Sequence, residues 1–304
     1  MPKEIRKGWM ESYLSEYISG VESALNANIQ MMPNYAIDYD KNYFLPHLVS
    51  MENNEKPGLN LSIIYDINLL PDHIRTEVNV NNPSIRLIVF KDKNSDHAIA
   101  FDCRYIKDMG ISILGIESAN SINDVGAREI ARFCEELDFK AVTVPISLHI
   151  ISSNQQYSFS ECIIYSFILA KKMFKEQERM LCLHQKNLKN EFEVHDEFKS
   201  VIKPEWVDRY LLPLFMKHCQ STKRIDEYLS VELDKKILGD LDKKKCFVNK
   251  MNETLLMRHN RFRVKGRCIK NVMEIEEREY CNSIFLKRKR ELEKLLLYIK
   301  KYDL

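Results

Sequence analysis

Residues 160–172 read SECIIYSFILAKK: a small polar residue, a carboxylate and a cysteine, then a largely apolar run and two lysines. The run predicts a helix starting at Cys162. Unpaired amides and the dipole at a helix start favour a thiolate, and Ser160 is a candidate cap there. A cysteine beside an apolar helix is, however, more often simply packed in a core. Nucleophilic thiol chemistry also needs a base and a group that orients the base. The rest of the chain decides between these two readings.

A chain of 304 residues can form one large domain or two modest ones. Its 46 Lys and Arg against 44 Asp and Glu leave a formal charge of +2, which argues against a generic nucleic-acid binder. The longest apolar runs, such as residues 163–170, are too short to cross a bilayer, so no integral membrane segment is expected. Residues 1–20 lack the basic start and apolar stretch of a secretory signal. The eight cysteines form no close CxxC pair and the eight histidines no ligand-spaced cluster. Free thiols and no metal site are therefore expected.

Trp9, Tyr13, Tyr17, Val21 and Leu25 recur every four residues and predict an amphipathic helix, broken after it by Pro33 and Asn34. Strand-like runs follow at residues 61–65, 86–90, 98–103, 111–116 and 141–151, with a helix near 123–137. Beyond residue 162 the pattern turns helical, at 162–179, 203–219 and 281–302. In the last of these, Lys287-Arg288-Lys289-Arg290 reads first as a solvated face and second as an anion site or partner contact.

Among the histidines, His97 is the best placed base. It opens the strand-like HAIAFDC at 97–103, straight after the turn-prone Lys93-Asn94-Ser95-Asp96. Twenty residues later Glu117 closes the apolar run in ISILGIESAN, residues 111–120. A carboxylate there is costly to bury unless paired. If the two strands are neighbours, His97 and Glu117 lie side by side, either as a catalytic pair or as a structural ion pair at a sheet edge.

The order His97, Glu117, Cys162, with these surroundings, resembles the YopJ family of bacterial type III effector acetyltransferases. That family has the fold of Ulp-type and adenovirus-type (adenain-like) cysteine proteases. The likeness rests on the histidine strand ending in Asp102, on Glu117-Ser118-Ala119-Asn120, and on the Ser-Glu-Cys block with its helix and Ala170-Lys171-Lys172. It continues through LHQKNLKN at 183–190, DRYLLPLFMKHCQSTKRIDEYL at 208–229 and, more weakly, VNKMNETLLMRHNRF at 248–262.

The resemblance implies an α+β fold, with a mixed sheet flanked by helices and a helical regulatory module. Residues 1–35 would be an N-terminal helix of the regulatory region, 36–180 the catalytic core and 181–304 the mostly helical remainder of that region. Cys162 would be the nucleophile, His97 the general base, Glu117 its orienter and Gln156 an oxyanion donor, with Gln155 able to take its place. Acetyl-CoA would be the co-substrate, its phosphates met by Lys172 and Arg258. Inositol hexakisphosphate would be the activator, held by Lys217, Lys223 and Arg224, with Arg258 a looser candidate. Partners would be host signalling kinases, MAP kinase kinases above all, reached by type III secretion into the host cytoplasm. One departure stands out: Ile163 occupies the place where familiar members have Gly. Two other readings use the same residues. One is a cysteine protease of ubiquitin- or SUMO-like tails, with Tyr157 and Phe159 as channel walls. The other is a target-binding descendant without turnover.

Overall fold

Strands β2 (Leu61–Ile64), β3 (Ser84–Phe90), β4 (Ala98–Ile106), β5 (Gly110–Glu117) and β6 (Ile146–Ser152) form one sheet in that spatial order. The structure, a computed structural model, describes residues 7–30, 40–158, 161–235, 239–271 and 274–302. Pro33, Asn34, Phe159, Ser160 and a boundary at residue 35 lie outside them.

β3, β4 and β5 run antiparallel in turn, while β2 joins β3 and β6 joins β5 in parallel. The apolar runs of β3 to β5 are buried on both faces, so they read as nearly continuous rather than alternating. Ile88, Phe90, Ala100 and Leu114 face one core, and Leu87, Val89, Phe101 and Ile113 the other. Each large side chain buried in this way contributes about 1.5–3 kcal/mol. The second core is closed by α3 (Leu70–Glu77) and α4 (Val125–Glu136). The first takes α1 (Lys7–Asn26), α2 (Leu45–Glu55), α5 (Cys162–Lys175) and the long C-terminal α10 (Ser283–Tyr302).

A buried charge cluster pins the sheet to the next helix, α6 (Gln177–Leu188). Asp102 pairs with Arg86 at 3.2 Å and with Arg104 at 3.0 Å, and meets His184 of α6 at 3.2 Å. The outer edge of β6 is covered by residues 200–202, since Ile150 exchanges main-chain hydrogen bonds with Ser200 and Ile202.

Several boundaries differ from the sequence pattern. The strand expected over 141–151 starts only at Ile146, because Pro145 has no N–H to give a ladder. The helix expected over 203–219 stops at Tyr210 as α7 (Pro204–Tyr210), two residues short of Leu212, whose backbone Pro213 restricts. A 3-10 turn, Phe215–His218, and α8 (Thr222–Ser230) follow. The helix beginning at Cys162 ends at Lys175. In α1, Met10, Leu14, Tyr17 and Val21 are buried while Tyr13 is only half-buried. A strict four-residue step drifts about 40° per step around a helix of 3.6 residues per turn.

The sequence pattern did not suggest the hairpin β7 (Arg263–Asn271) and β8 (Glu274–Cys281), which follows α9 (Leu255–Arg261) and pairs with the short β1 (Ile29–Gln30). Arg288 corrects the reading of the basic run in α10: it is buried, not solvated.

Candidate active site

The sheet brings three chain segments to one edge. Ala98 and Ala100 begin β4 opposite the end of β5, where Ala100 pairs with Ile116. Glu117 ends β5 beside Ser152, which ends β6. Residues 153–161 then lead into α5, which packs back across β4 and begins at Cys162.

His97 Nε2 donates to Glu117 Oε2 at 2.9 Å. Glu117 is wholly buried, and its other oxygen accepts from the Ala119 amide at 2.9 Å. The Cys162 thiol lies beside the His97 ring, close enough to act on its charge. Burial opposes a charge on that ring. The Glu117 carboxylate, its hydrogen bond to the ring and the neighbouring Cys162 outweigh it, so the His97 pKa lies well above the ordinary histidine value. An imidazolium between a carboxylate and a sulfur is the partner a thiolate nucleophile needs.

Cys162 is itself 2% exposed, and its Sγ donates to the Asp96 carbonyl at 2.9 Å. That carbonyl belongs to the loop leading into His97. Lys41 fixes the loop by donating to the carbonyls of Lys93 and Ser95, both at 2.6 Å. Cys162 is thus both buried and paired, so the two readings of residues 160–172 were not exclusive. Ile163 is buried in the core between sheet and helices, which accommodates its side chain.

The ring of His97 also packs on Gly126, the second residue of α4. A Cβ built at Gly126 would lie 2.8 Å from both Cβ and Cγ of His97. Only a glycine leaves room for the ring in this position.

Gln156 is half-buried on the same edge. Its Oε1 accepts from Ser118 Oγ at 2.7 Å and its Nε2 donates to the Ser158 carbonyl at 2.6 Å. One amide hydrogen of Gln156 remains beyond that bond. Gln155, in contrast, is fully buried and donates to Ser153 Oγ. Sequence reasoning missed Gln220, which fixes this loop. Its Oε1 accepts from the amides of Tyr157 and Ser158 at 2.5 and 3.1 Å. No local signal marks it, because its partners lie over sixty residues upstream.

The cations sort differently in space than in sequence. Lys172, Lys217, Arg258, Lys287 and Lys175 converge from three helices and the 3-10 turn. Burial pushes the Lys172 amine well below the ordinary lysine value, and the charges of Lys217, Lys287, Arg258 and Lys175 push it further. Lys217 is lowered to about 8 by burial and then by Arg258, Lys287 and Lys175. His218 is also lowered, by burial and by Lys172 and Arg258. Arg258 Nε is buried with no hydrogen-bond partner among the described residues. Among the described residues two carboxylates touch this group, Glu253 on Arg258 and the buried Glu291 on Lys287. Such crowding of like charge suits a ligand carrying several phosphates. The other two sequence candidates are engaged elsewhere. Arg224 makes a two-pronged pair with Asp208, at 2.5 and 2.8 Å, and Lys223 is exposed beside Glu227.

Among the described residues no group of three or more His, Cys, Asp or Glu could hold a metal ion, and no helix is long and apolar enough to cross a membrane.

Known proteins resemble the chain over most of its length. A family model described as YopJ serine/threonine acetyltransferase matches residues 14–294. The serine/threonine-protein acetyltransferase YopJ of Yersinia pseudotuberculosis is 28% identical over 226 residues, covering 72% of this chain and 74% of that protein. Its Yersinia pestis counterpart is 27% identical over the same length. Among solved structures, AvrA delL154 with IP6 (inositol hexakisphosphate) and CoA aligns with a TM-score of 0.78 and 23% identity, covering 96% of this chain and 99% of that one. HopZ1a in complex with IP6 and CoA aligns with a TM-score of 0.67 and 18% identity, covering 97% and 98%. At these identities the two structures share the fold.

Proposed function

The chain belongs to the YopJ serine/threonine acetyltransferase family, and from that premise we propose that it carries an acetyl group from acetyl-CoA, by way of a thioester on Cys162, to side chains of host signalling proteins. Serine and threonine hydroxyls of MAP kinase kinases are the first acceptors to test, with lysine amines second. Delivery by type III secretion into the host cytoplasm accompanies this reading. The observation that carries it is the His97 ring, held by buried Glu117 on one nitrogen at 2.9 Å, with the Cys162 thiol as its close neighbour.

In the proposed chemistry acetyl-CoA supplies an activated thioester carbonyl. Cys162, deprotonated with His97 as the proton's holder, attacks that carbon through Sγ. His97 then gives the proton to the departing coenzyme A sulfur. In the second half, His97 takes the proton of the acceptor hydroxyl as its oxygen attacks the Cys162 thioester, and Cys162 leaves as thiolate. Glu117 holds the Nε2–H throughout. Gln156 and the amides at the start of α5 are assigned to the oxyanion, where one lost donor costs ~3 kcal/mol.

The cluster of Lys172, Lys217, Arg258 and Lys287, with Lys175, is assigned to inositol hexakisphosphate. The unpartnered Arg258 Nε fits phosphate oxygens there. Lys172 and Arg258, expected on coenzyme A, fall in the same cluster as Lys217. The pairing of Arg224 with Asp208 and the exposure of Lys223 support leaving both out of it.

Incubation with acetyl-CoA and inositol hexakisphosphate tests the reading by intact mass. The protein should gain acetyl groups and pass them to a kinase, while Cys162→Ala should gain none. Absence of acetylation in every condition, or labelling of Cys162 by a ubiquitin vinyl-sulfone probe instead, overturns it.

Gly126→Ala offers a sharper check of geometry. Alanine favours a helix over glycine by about 1 kcal/mol, so α4 itself should not suffer. The added methyl must push the His97 ring aside, and a shift approaching 1 Å can cost about a hundredfold in rate. Acetyl-transfer kinetics should fall by roughly ten- to a hundredfold in a folded protein.

A further inference from the structure

Arg288 stands behind the nucleophile. It belongs to α10, yet it is 1% exposed. Its guanidinium lies 2.9 Å from the Asp40 carboxylate and 3.4 Å from that of Glu161. Glu161 is wholly buried and immediately precedes Cys162. From α1, Tyr17 donates its hydroxyl to Asp40 at 3.1 Å. Burial opposes the charge on Arg288, but Asp40, Tyr17, Glu161 and the Cys162 sulfur more than offset it, holding the guanidinium protonated. The residue before it in α10, Lys287, belongs to the cationic cluster. One turn of one helix therefore touches the cluster with one residue and the neighbour of the nucleophile with the next.

We propose that Arg288 and Glu161 are positioning residues for Cys162, through which an anion seated on Lys287 and its neighbours sets the orientation of the thiol. The inference rests on the assignment of the cluster to inositol hexakisphosphate. An anion drawing on Lys287 shifts α10, and Arg288 moves with it. A buried charge pair cannot be stretched without leaving a carboxylate unpaired, so Glu161 and the first turn of α5 follow. Two discrete arrangements of this pair, each favoured by one state of the cluster, are what such coupling requires.

The test measures alkylation of Cys162 by iodoacetamide, separated by peptide mass spectrometry from the half-buried Cys182 and Cys246. Inositol hexakisphosphate is titrated in, and calorimetry follows its binding in parallel. In the wild type the anion should change the Cys162 rate by at least about fivefold, the lower edge of ordinary coupling. Glu161→Gln keeps the side-chain shape. It should bind the anion within about twofold of wild type, while its rate response falls below about twofold. Asp40→Asn removes a similarly buried carboxylate from the same guanidinium and should keep the response. If it fails to fold, Tyr17→Phe, which removes only the hydroxyl on Asp40, serves as that control. A full response in Glu161→Gln, or an equal loss in the control, overturns the positioning role and leaves the cluster assignment standing. Failure of the wild type to bind the anion strikes the cluster assignment instead. The pair is then judged without anion: Glu161→Gln should move the pH profile of Cys162 alkylation, relative to wild type, and the control should not. Identical profiles in both variants overturn it.

Discussion

Glu117→Gln is expected to lower acetyl transfer by about 10⁴-fold, as the equivalent carboxylate-to-amide change does in a serine–histidine–aspartate triad. Glu117 accepts the His97 Nε2 hydrogen at 2.9 Å and is held by the Ala119 amide. An amide of the same shape can offer N–H to Nε2 and so place the ring proton on the nitrogen meant for sulfur. The variant therefore keeps the geometry and loses the tautomer. Its stability should show a matching pH signature. The folded pKa of His97 is raised above 6.5, so the pair's contribution is complete below that value and is lost as pH rises through the raised one. Chemical denaturation of wild type and variant should differ most near about pH 6 and converge in the alkaline range. A variant whose deficit grows with pH contradicts the assigned charge on His97.

The second large effect concerns the cluster around Lys172. Binding of inositol hexakisphosphate at a thousandfold excess over Kd should stabilise the fold by about 4 kcal/mol. Lys172 and Lys217 are held below the ordinary lysine value, Lys217 at about 8, by burial and by their cationic neighbours. Phosphates reverse the neighbours' effect, so both amines should gain protons on binding. Titrations near about pH 8, in buffers of different ionisation enthalpy, should reveal net proton uptake, and Lys217→Met should reduce it. In the ligand-free protein the unfolded chain binds more protons than the folded one between about pH 8 and 10.5. Stability should therefore rise with pH across that window, and the ligand should flatten the slope. High salt should weaken binding by screening the charges.

The sheet and the His97–Glu117–Cys162 arrangement were legible because their signals are local and ordered. β-branched runs marked β2 to β6, and the three candidate residues fall at element ends that one sheet edge must bring together. The hairpin β7–β8 was not legible, because RVKGRCIKN and EIEEREYC carry charge where a strand is usually recognised by apolar alternation. Its two strands face each other instead through charged pairs such as Lys265 with Glu277, at 3.8 Å. The cationic cluster was hidden for a different reason. Lys172, Lys217, Arg258 and Lys287 are far apart in sequence, whereas Lys217, Lys223 and Arg224 are close in sequence and diverge in space. Arg224 serves Asp208, a contact no spacing rule identifies. The burial of Arg288 was equally invisible, since its basic neighbours describe a solvated face and its carboxylates come from elsewhere.

The guanidinium behind Glu161 also bears on the order in which this protein becomes itself. Glu161 and Arg288 are 127 residues apart in the chain, and α10 further joins Lys289 to Glu22 across 267 residues and Lys294 to Glu52 across 242. Contacts of such span close late, after local strands and helices have formed. A nascent chain halted on the ribosome before α10 can already pair β4 with β5, and so bring His97 to Glu117. Its thiol would still lack the charge that backs it. The backing of the Cys162 thiol thus waits on α10, however early the strands pair.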